Sequence, residues 1–122
     1  MRLISKSLLS ASLLLAAFSA APAVQAEPLA YGPDTCRTGF VWRDAAPGDH
    51  VCVRPASRSR AASENAAAAS RIDPLGAYGP YTCINGFVWR EAFRGDVVCV
   101  TPARRDAVNV ENAMGPARRV LG

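Results

Sequence analysis

Acidic residues lie in pairs at two places in the chain, Asp44 with Asp49 and Glu91 with Asp96. Two carboxylates at a suitable separation perform general acid and base chemistry, as in glycoside hydrolysis. Asp49 and Asp96 nevertheless fall in predicted turns, where an aspartate commonly bonds its own backbone. His50 is the only histidine, and no repeated serine or free cysteine accompanies it as a nucleophile. We therefore predict that the chain has no catalytic residues and is not an enzyme.

Aromatic residues that occur in both halves of the chain are candidates for binding a ligand. Exposed aromatic rings stack on sugar rings and other flat apolar ligands, and two tandem sites gain avidity. The opposite interpretation places the same rings in the small core, because large apolar residues are scarce in this chain. We favour the core for Trp42 and Trp89, and we leave Tyr31 and Tyr78 open between the two roles.

Arginines recur in the same way, and a guanidinium group recognises carboxylates and phosphates. Arg43 and Arg58 in the first half correspond to Arg90 and Arg105 in the second. In one interpretation these arginines bind a ligand carboxylate or an anionic envelope polymer. In the other they form ion pairs with acidic residues of their own half. Those acidic residues are Glu64 and Asp44, and Glu111 and Glu91. The candidate ligand-binding set is Tyr31, Trp42, Arg43, Tyr78, Trp89 and Arg90.

Four cysteines, Cys36, Cys52, Cys83 and Cys99, indicate covalent stabilisation. An even number of cysteines in a small exported chain is typical of disulfide bonds, and a unit of about 47 residues buries too little apolar surface to be safely stable alone. We prefer Cys36–Cys52 and Cys83–Cys99, because a duplicated unit most simply closes within itself, although two other pairings respect the duplication. A zinc site is less favoured because fifteen residues separate the members of each pair. We predict no metal and no cofactor.

An internal repeat relates all of these residues at an offset of 47. The first copy reads YGPDTCRTGFVWRDAAPGDHVCVRP, from Tyr31 to Pro55, and the second reads YGPYTCINGFVWREAFRGDVVCVTP, from Tyr78 to Pro102. Seventeen of these 25 positions are identical, and weaker matches follow, including a second Glu-Asn-Ala. A feature present in both copies belongs to the repeated module.

A β-hairpin is predicted at the start of each copy. The aromatic and β-branched run over 40–44 favours a strand, Pro47-Gly48 fits a type II turn, and residues 50–53 form the return strand. Centring the turn on Pro47-Gly48 places Trp42 opposite Val53. Alternation along the strands then predicts two equivalent core faces. These faces are Phe40, Trp42, Val51 and Val53, and Phe87, Trp89, Val98 and Val100.

A helix is predicted after each hairpin. The first runs from Pro55 to about Arg71 with a poor cap at Arg54, and the second runs from Pro102 to about Met114 behind the better cap Thr101. An apolar stripe at helical spacing indicates the buried face of the second helix. This stripe is Ala103, Ala107, Val110 and Met114. The fold class predicted is therefore small α+β, disulfide-stabilised, with two tandem β-hairpin–helix modules.

Residues 1–26 are typical of a secretory signal peptide, with Arg2 and Lys6 before an apolar stretch and a cleavage site after Ala26. We expect the first repeat over residues 27–77, including a helical connector, and the second over residues 78–122, with a frayed C-terminus. The remaining 96 residues carry a net charge of +2, which is too mild for a nucleic-acid binder. No later segment is apolar enough to span a membrane, so a secreted or periplasmic location is predicted.

The repeated string C-x-x-G-F-V-W-R-[DE]-A-x-x-G-D-x-V-C-V-x-P-x-x-R, preceded by Tyr-Gly-Pro, resembles a repeat of secreted bacterial proteins of unknown function. The resemblance covers nearly all of the chain after residue 26 and implies no activity. Arg54 and Arg94 depart from the usual Thr and Pro of that repeat. We expect a non-catalytic structural or ligand-binding module whose partner is an extracellular or envelope polysaccharide or protein. The alternative is a secreted effector, inhibitor or antimicrobial protein.

Overall fold

The structure is a computed structural model that describes residues 29–121, and the predicted signal peptide lies outside the described residues. It confirms a small α+β fold with two helices, α1 (Pro55–Ala67) and α2 (Pro102–Met114), and three two-stranded antiparallel sheets. Disulfide bonds join Cys36 to Cys52 and Cys83 to Cys99, as preferred from the duplication. The strands are β1 (Val41–Trp42), β2 (Cys52–Val53), β3 (Ile72–Asp73), β4 (Thr82–Cys83), β5 (Val88–Trp89) and β6 (Cys99–Val100).

The first hairpin contains the predicted turn but not the predicted register. Asp49 N donates to Ala46 O at 3.1 Å, and Gly48 has a φ of 85°, as a type II turn requires. Val41, rather than Trp42, lies opposite Val53. The second hairpin has the same register, with Val88 opposite Val100. The predicted pairing of Trp42 with Val53 is therefore wrong by one residue.

A left-handed residue causes this slip. Asp44 has a φ of 51°, and its equivalent Glu91 has a φ of 55°. Two hydrogen bonds enclose this residue, one from Arg43 N to Val51 O and one from Asp49 N to Ala46 O. Between them the outgoing strand has two residues and the returning strand has one, so the outgoing strand carries a one-residue bulge. Such a bulge reverses the faces of a strand beyond it. Arg43 consequently faces the interior on the same side as Val53, while Phe40 and Trp42 remain half-buried. The predicted core face is therefore right for Val53 and its equivalent Val100, and wrong for the aromatic residues of the outgoing strand.

Helix α2 has the predicted bounds because its end signals are local. The Thr101 hydroxyl accepts a hydrogen bond from Arg104 N at 3.3 Å, whereas Arg54, at the start of α1, makes no side-chain cap. Helix α1 ends at Ala67 and continues as a 3-10 helix to Arg71. The predicted apolar stripe of α2 is exposed, and its buried residues are Arg104, Val108 and Glu111.

Each helix is followed by a segment that pairs with the other repeat, a strand after α1 and a single β-bridge after α2. After α1, Ile72 pairs with Cys83 of the second repeat, and after α2, Arg119 pairs with Cys36 of the first. Arg37 N also donates to Arg118 O at 2.8 Å. The C-terminal segment 116–121 therefore contacts the first repeat, and the fraying of its end stays a prediction.

The core is small and approximately symmetric. Its buried apolar residues include Val53, Val100 and the disulfide cysteines Cys52 and Cys99 of the returning strands. One further cluster holds two pairs of residues related by the 47-residue offset, one pair from the turns and one from the helices. These are Ala45 and Ala92, and Ala61 and Val108. The largest fully buried side chains are not apolar, since they are Arg43 and Arg90.

Candidate functional site

Arg43 and Arg90 lie inside the protein rather than in a ligand site, because both are 0% exposed. Arg43 donates through Nε and Nη2 to the two carboxylate oxygens of Asp49, at 2.8 and 3.2 Å. Arg90 makes the same bidentate pair with Asp96, also at 2.8 and 3.2 Å. Asp49 Oδ2 additionally accepts a hydrogen bond from Ala45 N at 3.1 Å. The structure therefore pairs each buried arginine with the aspartate of its own turn and leaves neither guanidinium group exposed to a ligand.

The remaining donors of each buried arginine reach the helix of the other repeat. Arg43 Nη1 donates to Glu111 Oε2 at 3.2 Å and to Asn112 Oδ1 at 2.9 Å. Arg90 makes the equivalent bonds to Glu64-Asn65, at 3.4 and 3.0 Å. The expected pairing of these arginines with a glutamate of their own half is therefore wrong, and the repeats exchange partners.

Arg104 joins the two glutamates where the helices approach each other. Its Nε donates to Glu64 Oε2 and its Nη1 to Glu111 Oε1, both at 2.8 Å. Burial tends to raise the pKa of Glu111, but the hydrogen bond and charge of Arg104, with the bond from Arg43, outweigh burial and lower this pKa below its ordinary value. The pKa of Arg104 is raised because its two glutamates outweigh the opposing effect of burial.

Two open clefts lie on the surface at equivalent places in the two repeats. The first cleft has a volume of about 450 Å³ and the second about 290 Å³. All seven residues that line the second cleft have their repeat equivalents in the first, which adds Asp44. The shared pairs are Tyr31/Tyr78, Thr35/Thr82, Cys36/Cys83, Phe40/Phe87, Val41/Val88, Trp42/Trp89 and Arg58/Arg105.

Aromatic rings dominate both clefts and are held in similar positions. Tyr31 is 71% exposed and stands edge-on to Trp42, with ring centroids 5.8 Å apart. Tyr78 is 78% exposed and makes the same contact with Trp89 at 6.4 Å. The indole nitrogens of the two tryptophans donate to Asp34 O at 2.8 Å and to the carbonyl oxygen of residue 81 at 2.9 Å. The structure thus brings together the four aromatic candidates, two in each cleft.

The other residues that the sequence singled out lie outside this arrangement or at its edge. Asp44 is exposed and pairs with Arg58 across 2.9 Å at the rim of the first cleft. His50 stacks on Trp42, with centroids 3.7 Å apart, and its Nδ1 lies 3.1 Å from Asp34 Oδ2. Glu91 is exposed. Within residues 29–121, no group of three metal-ligating side chains stands together, and no helix is long and apolar enough to cross a membrane.

Sequence reasoning missed Phe40, Phe87 and the two cleft threonines as lining residues. Both phenylalanines were assigned to the core because the predicted register placed them there. The sequence does repeat both phenylalanines close to the aromatic candidates. With the correct register, this repetition would have placed them in the clefts. No family model, curated protein or solved structure shows significant similarity to this chain.

Proposed function

We propose that this protein is a non-catalytic, exported module that binds a polysaccharide of the cell envelope or the extracellular space through its two clefts. The observation that carries the proposal is the duplication of one aromatic cleft with the same seven lining positions. Core packing explains repeated buried residues, but it gives no reason for two tyrosines to be repeated while more than 70% exposed.

The chemistry of the clefts matches a sugar ring. The apolar faces of a sugar ring pack on aromatic side chains, and the Tyr hydroxyl supplies a polar group beside that surface. Clefts of about 290 and 450 Å³ lie at the lower end of the range of ligand-binding sites, a size that suits a small part of a polymer. Two disulfide bonds are typical of proteins in oxidising compartments outside the cytoplasm, where such polymers occur.

Titration with a panel of soluble cell-wall and extracellular polysaccharides, followed by tryptophan fluorescence and pull-down, tests the proposal. We expect saturable binding to at least one polymer, weakened about tenfold or more when Tyr31→Ala and Tyr78→Ala are combined. Tyr81→Ala is the matched control, since it removes an exposed tyrosine that lines neither cleft. The absence of binding throughout the panel, or equal losses in the double variant and the control, would overturn the proposal.

A further inference from the structure

The two clefts differ in charge although their aromatic residues match. In the first cleft, Asp44 Oδ2 lies 2.9 Å from Arg58 Nη2, and both residues line the cleft. In the second cleft, Glu91 occupies the position of Asp44 but does not line the cleft. Among residues 29–121, no carboxylate lies within 4.0 Å of the guanidinium group of Arg105.

From this difference we infer that the second cleft binds an acidic sugar, such as a uronic acid residue, while the first binds a neutral one. This inference rests on the proposed function and adds the class of sugar at each cleft. A guanidinium group presents parallel N–H donors that fit a carboxylate, and such charge-assisted bonds are stronger than neutral ones. Arg105 has these donors free of any acidic partner in the described chain, beside the Trp89 ring on which the sugar stacks.

Arg58 is not equivalent to Arg105 in this respect. A ligand carboxylate at the first cleft would have to displace Asp44 from Arg58 or bind beside a second negative charge. The attraction gained from Arg58 would then be offset by the lost ion pair and by repulsion from Asp44. A neutral sugar meets neither cost, and its hydroxyl groups can accept or donate hydrogen bonds to both rim residues.

The two tryptophans allow each cleft to be observed separately in the unmodified protein. Each indole N–H is held by a backbone carbonyl, so each gives its own signal in a ¹H–¹⁵N NMR spectrum, assigned with Trp42→Phe and Trp89→Phe. The ligands are an oligogalacturonate and the same oligomer with its carboxyl groups methyl-esterified. This pair differs in charge while the sugar ring stays the same.

We expect the Trp89 signal to report binding of the free acid about 5–10-fold tighter than the ester, which is roughly 1–1.4 kcal/mol. The Trp42 signal should report a preference of less than about twofold. Asp44→Asn should give the first cleft an acid preference, because it frees Arg58 while asparagine tolerates the left-handed backbone at this position. Arg105→Gln should abolish the preference of the second cleft, whereas Arg94→Gln, an exposed arginine outside both clefts, should not.

The possible failures are distinguishable. Binding of both oligomers with the same preference at Trp42 and Trp89 would overturn the assignment of acidic and neutral clefts and leave the proposed function standing. An acid preference that survives Arg105→Gln would also overturn it. If neither of these oligomers nor any polymer of the broader panel shifts either indole signal, the proposed function itself fails.

Discussion

Arg43 and Arg90 act as the organising residues of the interior. Each uses one edge of its guanidinium for an aspartate in its own turn and the remaining donors for the other repeat, mainly its helix, with one bond from Arg43 to the carbonyl oxygen of Ala92 in the second turn. A buried charge is tolerated only when it is paired and hydrogen-bonded, and these two are bonded on all sides. The buried apolar side chains of the described chain are three alanines, three valines and two disulfide cysteines, all of them small, so the charged network forms a large part of the interior.

Glu111 makes the stability of this charged network depend on pH. Its pKa lies below the ordinary value in the folded protein, so folding favours the ionised form. Its contribution to the free energy of unfolding is therefore complete above the unfolded pKa of about 4.3 and is lost as pH falls through the lower, folded pKa. We expect urea denaturation to show a stability that falls as the pH is lowered below about 4.3.

The variant Glu111→Gln isolates this effect. At pH 7 it should lose about 3 kcal/mol, because Arg104 and Arg43 keep their buried charges while losing a carboxylate partner. Its stability should also fall less steeply with pH than that of the unaltered protein. Glu91→Gln is the control, because Glu91 is exposed. Parallel pH profiles for Glu111→Gln and the unaltered protein would contradict this assignment.

At the scale of elements, the bulge before each turn determines what each hairpin presents to the core. Glu91 adopts a φ of 55°, a conformation that costs a residue with a Cβ roughly 1–2 kcal/mol. Glycine lacks this cost but is more flexible in the unfolded chain. Glu91→Gly should therefore raise the free energy of unfolding by about 0.5–1 kcal/mol, measured by chemical denaturation. Glu91→Ala, which keeps the Cβ, should be close to neutral, and equal stability of the two variants would refute the strain.

Local signals made part of this fold predictable. Pro47-Gly48 specifies a turn, and Thr101-Pro102 begins a helix wherever the rest of the chain goes, so the turn and both ends of α2 follow from the sequence. The register of the hairpin strands does not follow from the sequence, because no residue type near Asp44 indicates that its backbone is left-handed. One extra residue in the bulge exchanged the two faces of the outgoing strand, while the returning strand kept its predicted buried valine.

The candidate site was predictable to the same extent. Repetition identified the tyrosines and tryptophans, which do line the clefts. It did not distinguish Arg58, at a cleft, from Arg43, in the interior, because two of the partners of Arg43, Glu111 and Asn112, lie 68 and 69 residues further along the chain. The local sequence pattern of a segment does not show which distant segment it will contact.

At the scale of the whole molecule, the C-terminal segment packs against the first repeat, although it follows the second repeat in the sequence. Arg37 N donates to Arg118 O at 2.8 Å, Val120 N donates to Thr35 O at 3.0 Å, and the Arg118 guanidinium lies over Phe40, 4.9 Å from its ring centroid. A chain ending at Gly115 loses all of these contacts.

Such a truncated chain should lose amide protection against hydrogen exchange at Arg37, and its first cleft should loosen while the second remains intact. The indole signal of Trp42 should therefore shift and that of Trp89 should stay in place. A chain ending at Leu121 is the control, because it keeps every one of the contacts. Retention of the Arg37 protection after truncation at Gly115 would show that the segment is dispensable.

The hydrogen bonds between residues 35–37 and residues 118–120 bring the beginning and the end of the described chain close together. A short peptide joining Val120 to Tyr31 would make the described chain circular, and a cut beside the fully solvated Leu75 would open it again between the copies. The resulting circular permutant would place the second copy before the first in translation, with every exchanged contact kept. We expect this permutant to keep the fold, because the contacts between the two copies do not depend on which copy comes first along the chain.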